Sequence, residues 1–336
     1  MGSKSPTSSG HPQPAASGYG VRQICGLALS WLPQASETVP LSISESKIPG
    51  GVGREHGART MRVVGTGHLL FALGLAGLGV LSLVSSDFPY TWEPIPTWVP
   101  WRQILAQLSG AILLAGGVGL LIKRIASPAS FALAIFLLGW VLVLQAPRAL
   151  QAPANVGMWL GVAESTLLFA GGWILFAFLA TPRMRIRAAL LTSDRAIRLA
   201  RTCFGVACLL FGLSHFVYGP GTASMIPAWL PAHLGLAYLT GACHFAAGLA
   251  ILFAVLPRLA ATMEACMISL FVLLIHIPGA IREPASRLQW TMVFIATALA
   301  GAVWIISASL RETSWGWPRR SVEHHTLRVV RPPGQI

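Results

Sequence analysis

Apolar residues are concentrated in eight long blocks that alternate with short polar connections along the chain. The blocks cover residues 63–84, 104–122, 129–146, 157–180, 200–218, 233–255, 259–277 and 288–310. Each block is close to the about 20 residues with which an α-helix crosses the hydrocarbon core of a bilayer. Because every backbone amide inside lipid needs an internal hydrogen-bond partner, the pattern predicts eight membrane-spanning helices.

The composition agrees with this pattern. Hydrophobic residues make up 54% of the chain and charged residues only 10%, whereas an ordinary soluble domain has roughly 25% charged residues. A soluble fold with so few charges could not cover its apolar surface, so the lipid bilayer is the expected surroundings of most of the chain. The sequence therefore predicts an all-α membrane protein.

Basic residues predict the orientation, because they are concentrated in alternate connections. The larger set contains Lys123, Arg124, Arg183, Arg185, Arg187, Arg195, Arg198, Arg201, Arg258, Arg311, Arg319 and Arg320. The smaller set contains Arg102, Arg148, Arg282 and Arg287. The positive-inside rule places the larger set in the cytoplasm, and both termini then lie there, as an even number of spans requires. This topology accounts for the net charge of +13, and nucleic acid is not an expected partner.

The chain matches itself without a gap when it is shifted by 131 positions. The matched pairs include Gly74 with Gly205, Trp98 with Trp229, Gly117 with Gly248, Pro147 with Pro278, and Trp159 with Trp290. We interpret this match as a tandem duplication in which each copy has four spans. Because four is even, both copies cross the membrane in the same direction and form parallel repeats.

The predicted architecture is two tandem four-helix transmembrane bundles with eight spans in total. The first bundle covers 62–181 and the second covers 198–310. A basic cytoplasmic linker, 182–197, joins them, and a basic cytoplasmic tail, 311–336, follows the second bundle.

Each copy carries a Pro-x-Trp-x-Pro segment between its first and second spans: IPTWVP at 95–100 and IPAWLP at 226–231. Two prolines four residues apart predict a stiff, non-helical segment, since proline fixes φ and lacks an N–H. Tryptophan between them suits the membrane interface, where the ring lies in apolar surroundings and its N–H lies near water. Two interpretations are open: a structural anchor at the outer surface, and a lid over a small-molecule pocket.

Short motifs follow one another in a specific order along the second copy. They are His215-Phe216, Ile226-Pro227 with Trp229 and Pro231, Thr240-Gly241, the run from Arg258 to Ala261, and His276-Ile277-Pro278. In this order and spacing, 198–310 resembles the DoxX-like family of small four-helix bacterial membrane proteins. The likeness is weaker over 62–180, where Val84 and Gln145 stand at the positions of His215 and His276. The resemblance implies a four-helix membrane bundle and, for part of the family, a link to quinone or sulfur redox chemistry.

Several ionisable residues fall inside predicted spans, where a charge is costly and needs a functional hypothesis; one of them, His68, lies near the inner edge. At a rise of about 1.5 Å per residue, His215 lies in the outer leaflet, His244 near mid-membrane and His276 near the outer surface. Glu264 lies roughly 9 Å inside the cytoplasmic edge, within reach of that surface. Glu164, in the first copy, is expected either to hydrogen-bond across its bundle or to carry a proton.

Three interpretations of the histidines are open. They could be hydrogen-bonding groups between helices. They could also bind a quinone or another ligand, with His215 or His276 as donor to its carbonyl oxygen, His244 as a further site residue, and Tyr218, Trp229 and Phe216 as walls. Ligation of haem iron or a metal is the third, and it is disfavoured because the first copy has no matching pair and Cys-x-x-Cys-His is absent. The cofactor is thus unknown: quinone is an open candidate, haem is not expected, and no metal site is predicted.

No catalytic motif is recognisable in the chain. A Walker loop, a dinucleotide glycine fingerprint, a Ser-His-Asp order and a zinc spacing are all absent. The cysteines of the second-copy spans are interpreted as small packing residues: Cys203, Cys208, Cys243 and Cys266. Catalytic residues are unknown, and whether the protein is an enzyme is left open; an oxidoreductase subunit is the enzymatic class that fits best.

The leading function hypothesis is a redox-associated, quinone-linked or ligand-binding membrane subunit. One alternative is a small-molecule transporter that uses the seam between the two bundles. The other is a structural or assembly partner of another membrane or redox protein. The sequence does not separate these three.

The N-terminal 1–61 is rich in Ser, Gly and Pro, lacks apolar periodicity and is predicted to be a disordered tail. Met61, which is followed by Arg62 and an apolar run, is a candidate for the true start. Arginine outnumbers lysine, and alanine and glycine are abundant, as in a high-GC bacterium. The predicted location is therefore a bacterial inner (plasma) membrane.

Overall fold

The computed structural model describes residues 65–89 and 92–315, and within these ranges it has eight helices of membrane-spanning length. We name them α1 to α8: Thr66–Ser85, Arg102–Leu121, Ala126–Gln151, Val156–Leu179, Asp194–Val217, His233–Leu252, Pro257–Arg282 and Arg287–Ser309. The prediction of a multi-pass membrane protein is confirmed. The predicted tail 1–61 with its candidate start at Met61, and the tail beyond 315, lie outside the described residues.

Two helices extend beyond the predicted spans because their prolines are accommodated by π-helical turns. These turns are Trp140–Gln145 in α3 and Val272–His276 in α7. A proline in a regular helix clashes with the carbonyl group four residues before it. Just before Pro147 and Pro278, however, the amides of Ala146 and Ile277 bond to carbonyl groups five residues back. The wider turn relieves the clash, so each helix continues through its proline.

The eight helices pack as two rings of five that share α4 and α8. The first ring is α1, α2, α3, α4 and α8, and the second is α4, α5, α6, α7 and α8. The first helix of each set of four has two main neighbours. Helix α1 packs against α2 and α8, and α5 packs against α6 and α4. The two predicted sets of four helices therefore share walls within the described structure. The fourth helix of each set packs against the first helix of the other set.

Glycines allow α1 and α8 to approach closely. A Cβ atom on Gly301 of α8 would lie 2.6 Å from the Cα atom of Phe71 and 2.8 Å from the carbonyl oxygen of Gly67 on α1. Gly74 of α1 lies in the same way against the backbone of Ala298. Small residues at such positions replace the hydrophobic driving force that helix pairs lack in lipid.

The first ring is filled by side chains. Its fully buried members include Phe71, Leu75, Leu113, Leu137 and Leu168. At the end of the bundle that carries 95–100 and 226–231, which we call the Trp-Pro end, the buried Trp92 and Glu93 close the ring. Gln145 of α3 donates from Nε2 to the Trp92 carbonyl oxygen at 2.7 Å. The first ring therefore has a closed cap.

Glu93 is held in this cap by Ser109 of α2. The Ser109 hydroxyl oxygen lies 2.8 and 3.0 Å from the two carboxyl oxygens of Glu93. A hydroxyl group has one proton to donate, so two short contacts fit a protonated carboxyl that donates in return. Burial raises the pKa of Glu93 to about 8, although the hydrogen bond from Ser109 acts in the opposite direction. Glu93 therefore favours its neutral form in the folded protein.

Asp87 connects the same cap to α8 through an ion pair. Its carboxylate pairs with Arg102 of α2 and with Arg287 at the start of α8. Burial alone would raise the pKa of Asp87. The amide of Phe88 and the two guanidinium groups outweigh that effect, so the pKa of Asp87 lies below its usual value.

The two Pro-x-Trp-x-Pro segments are non-helical, as predicted, and their tryptophans point outward. Trp98 is 79% exposed and Trp229 is 70% exposed. These exposures favour the anchor over the lid, because an indole ring in contact with lipid and water covers no pocket. Residues 219–225, between α5 and the second segment, form a short helix, Gly219–Met225.

Replacing Gly301 with alanine should destabilise the fold, because the new methyl group would lie against the α1 backbone. We expect a loss of about 1–3 kcal/mol, the usual cost of overpacking a tight contact. The matched control is Gly139→Ala in α3, where an added Cβ atom meets nothing within 4 Å. The measurement is the unfolding free energy in a detergent titration. Equal stability of the two variants would contradict the close contact.

Glu93 should make stability fall with rising pH. Between its ordinary pKa of 4.5 and about 8, the folded state holds a proton that the unfolded state has lost. The unfolding free energy therefore decreases across this window and levels off above it. The total change is at most about 5 kcal/mol.

Glu93→Gln removes the titrating proton and should flatten this pH profile while raising stability near pH 8. Glu283→Gln, at an exposed carboxylate of the Trp-Pro end, is the control and should leave the slope unchanged. A slope that persists in Glu93→Gln would show that another group causes it.

Candidate functional site

The second ring encloses a cavity of about 480 Å³. All five of its helices contribute to the wall, and the short helix Gly219–Met225 lies over its Trp-Pro end. Most of the wall is apolar and includes Leu160, Phe211, Ile268, Phe271, Met292 and Leu299. A cavity of this size and lining is within the range of small-molecule sites, about 300–1,000 Å³.

Four ionisable side chains line the cavity: Glu164, His215, His244 and His276. The structure thus brings together the three histidines that the sequence singled out, and Tyr218 lines the cavity with them. Trp229 is corrected as a wall residue, because its exposed ring lies at the Trp-Pro surface and not in the cavity lining. Met225 and Ile226 line that part of the wall.

His215 is fixed by α6. Its Nδ1 atom lies 2.9 Å from the Thr240 hydroxyl oxygen and 3.2 Å from the Ala237 carbonyl oxygen. The close approach of α5 and α6 depends on Gly241, where a Cβ atom would lie 2.8 Å from the Cβ atom of His215. The Thr240-Gly241 motif therefore has a direct role: glycine admits the imidazole and threonine orients it.

His244 and Glu264 form a buried pair between α6 and α7. His244 Nδ1 lies 2.6 Å from Glu264 Oε1, and the two side chains are 4% and 1% exposed. The expectation that Glu264 reaches the cytoplasmic surface is therefore wrong. It turns inward because His244 on the neighbouring helix offers a partner at the same depth, which costs less than an unpaired carboxylate in lipid.

The imidazole rings of His215 and His244 contact each other. Their centroids are 5.0 Å apart at an interplanar angle of 67°. Phe271 of α7 lies 6.2 Å from both rings. The result is a connected polar series at the cavity wall: Glu264 of α7, His244 of α6, His215 of α5 and Thr240 of α6, in which the two imidazole rings are linked by ring contact.

Glu164 and His276 have no hydrogen-bond partner among the described residues, although both line the cavity. Glu164 belongs to α4, which sequence analysis assigned to the first bundle. It reaches this cavity only because α4 is shared by both rings. His276 ends the π-helical turn of α7, and one extra residue in a turn rotates all later side chains by about 100°. A sequence analysis that assumes a regular α-helix therefore assigns the His276 side chain to the wrong face of α7.

The first ring lacks this chemistry. A shift of 131 positions places Val84, Leu113, Leu133 and Gln145 opposite His215, His244, Glu264 and His276. Three of these four residues are apolar. The fourth, Gln145, donates a hydrogen bond from Nε2 to the Trp92 carbonyl oxygen. Among the residues described, the polar cavity therefore belongs to the second ring alone.

The residues present suit an organic ligand with an apolar body and hydrogen-bonding oxygens. Within 65–89 and 92–315, no group of three His, Cys, Asp or Glu side chains is arranged to hold a metal ion. Aromatic and aliphatic walls suit a planar ring, while the histidines and Glu164 suit its oxygens. A quinone head group has both features and fits the donor set.

Comparison with known proteins adds no further assignment. The chain matches no protein-family model, no curated protein and no solved structure.

Proposed function

We propose that this protein is a membrane-embedded binding protein for a small lipophilic molecule with a hydrogen-bonding head group, of the quinone class. One observation carries the proposal: a mostly apolar cavity among the spanning helices contains two ionisable side chains, Glu164 and His276, that have no hydrogen-bond partner among the described residues. Polar groups inside a membrane protein are expensive unless partnered. A ligand that partners both recovers that free energy on binding.

The wall determines how such a ligand would be held. Phe271 and Phe211 offer faces for a planar ring, and His276 offers an N–H donor to a carbonyl oxygen. Glu164 accepts from, or donates to, a further oxygen, according to its protonation. A bound quinone would supply two-electron redox chemistry; the residues of the chain bind and orient it and exclude water.

The DoxX-like resemblance of 198–310 supports the same assignment, since part of that family is linked to quinone chemistry. We further propose that the chain is a tandem duplication of the family's four-helix unit. In support, the bounds of α2 and α6, and of α3 and α7, differ by 131 at both ends. The π-helical turns overlap under the same shift. The indole N–H groups of Trp159 and Trp290 bond to the carbonyl groups of Pro153 and Pro284, also 131 apart.

Two alternatives receive less support from the packing. A transporter that uses the seam between α1–α4 and α5–α8 needs space there, yet a Cβ atom on Gly171 of α4 would lie 2.6 Å from the Cβ atom of Ala302 on α8. The seam is closely packed. A purely structural role leaves the cavity and its unpaired polar groups without an explanation.

The distribution of basic residues supports a bacterial inner-membrane location with the arginine-rich end, opposite the Trp-Pro end, in the cytoplasm. That end includes Arg183, Arg187 and Arg258. The exposed tryptophans of 95–100 and 226–231 then lie at the outer surface.

Protein purified in mild detergent should retain a lipophilic quinone that mass spectrometry of its organic extract identifies. The double variant Glu164→Leu/His276→Leu should retain roughly thirtyfold less, because two lost hydrogen bonds at about 1 kcal/mol each weaken binding by about 2 kcal/mol. His233→Gln at the start of α6, outside the cavity, is the control. Wild-type protein without bound quinone, or a double variant that retains it fully, would overturn the proposal.

Single cysteines at Thr97 and Ala228 should react with a membrane-impermeant maleimide from the same side of the membrane. Both positions are exposed in the Pro-x-Trp-x-Pro segments, and a parallel repeat requires this result. The variants are made in a background without the native cysteines. A cysteine at Ala189, at the opposite end, should react only after permeabilisation; labelling of 97 and 228 from different sides contradicts the parallel repeat.

A further inference from the structure

We propose that the cavity binds its ligand through an acidic hydroxyl group, as a phenol-type oxyanion held by a protonated His244, with Glu264 as the positioning residue. This inference rests on the proposed function, and it narrows the ligand to hydroquinones, hydroxyquinones and other phenols. Three features of the cavity support this inference: the His244–Glu264 pair, the side chains next to that pair, and Glu164 in the same cavity.

The pair has the geometry of a base oriented by a carboxylate. Glu264 Oε1 lies 2.6 Å from His244 Nδ1, so the Nδ1–H group donates to the carboxylate. The opposite ring nitrogen, Nε2, is then the atom available to a ligand, and His244 lines the cavity. A carboxylate on Nδ1 fixes the tautomer and stabilises the imidazolium ion, the logic by which buried carboxylates serve histidine bases.

The Glu264 carboxylate is also the nearest counter-charge for a cation at His244. Glu264 Oε2 is buried and accepts no hydrogen bond of normal geometry within the described structure, and the Cys208 thiol of α5 is its polar neighbour. With a neutral imidazole, the pair would carry one uncompensated negative charge inside the membrane. A proton on Nε2 makes the pair neutral, and the charge of a ligand oxyanion then faces a cation.

The proton balance is simple. The O–H bond of the ligand breaks, an N–H bond forms at Nε2 of His244, and the electron pair stays on the ligand oxygen. The new N–H group donates to that oxygen in a charge-assisted hydrogen bond. No oxidant or reductant takes part.

The groups around His244 are compatible with this arrangement. The ionisable side chains that face it from the helices packed against α6 are Cys208 and His215 from α5, and Glu264 and His276 from α7. Glu264 is the one carboxylate among them. Glu164, the other carboxyl group at the cavity, lies on α4, which is separated from α6 by α5 in the ring. Since Glu164 lines the same cavity, it is available to accept from a second hydroxyl group of the ligand.

The test uses a chromogenic phenol, 2-octyl-4-nitrophenol, whose phenolate absorbs visible light and whose neutral form does not. The probe is added to purified full-length protein in detergent, at a pH at which the probe in protein-free micelles is mostly protonated. Equilibrium dialysis measures binding, and absorbance measures ionisation. Wild-type protein should bind the probe and turn it into phenolate.

Two variants test the His244–Glu264 pair, and a third variant is the control. His244→Gln should bind the probe in its neutral form and roughly tenfold more weakly, the effect expected for loss of a charge-assisted hydrogen bond. Glu264→Gln should bind it with markedly less ionisation, because the imidazolium ion has lost its counter-charge. His233→Gln should behave as wild type. Full ionisation in either of the first two variants would overturn the inference.

A measurement on wild-type protein alone guards against misfolded variants. The methyl ether of the probe, 2-octyl-4-nitroanisole, has the same body but no ionisable hydroxyl group. It should bind roughly tenfold more weakly than the phenol. If both compounds bind equally and the phenol stays neutral, the inference fails while the proposed function stands. If neither binds, the proposed function fails as well.

Discussion

The packing of α8 on α1, matched by the packing of α4 on α5, is the contact on which the rest of the structure depends. Each set of four helices lacks a wall that the other set supplies. Gly67, Gly74 and Gly301 allow α1 and α8 to approach at backbone distance, and van der Waals contact is the main attraction available between helices in lipid. Without this exchange the second ring would be open, and Glu164 would not reach the cavity.

The two rings share one scaffold but differ in what fills it. In the first ring, Trp92 and Glu93 fold inward from the connection between α1 and α2 and close the interior. In the second ring, the corresponding connection forms the helix Gly219–Met225, which lies over the cavity without filling it. A filled ring contributes stability, and an open ring provides space for a ligand. This difference in filling accompanies the difference in polar residues, which line the cavity of the second ring and are replaced mostly by apolar residues in the first ring.

Hydropathy predicted all eight spans, because the bilayer imposes a length and a composition that are visible in any sequence. The exchange of α4 and α8 between rings was not predictable, since contacts between helices far apart in sequence leave no periodic signal. His276 was a predicted candidate, but the side of α7 on which it lies was not predictable, because the π-helical turn changes the phase of the helix. The orientation of Glu264 was missed because depth alone was considered, whereas that orientation depends on His244 across the helix interface.

The polar cluster of the second ring is costly, and its arrangement shows how that cost is limited. Glu264 and His244 bond to each other, and His215 bonds to Thr240, so three of the five ionisable groups of the cluster have a partner within the protein. Glu164 and His276 are not balanced by any described side chain. Breaking or omitting one partner of a buried polar pair is more expensive than omitting both. A fold that merely needed to span the membrane would have apolar residues at both positions, as Ile295 shows at the position that corresponds to Glu164. Their joint presence in one cavity is therefore better explained by a partner from outside the chain than by packing.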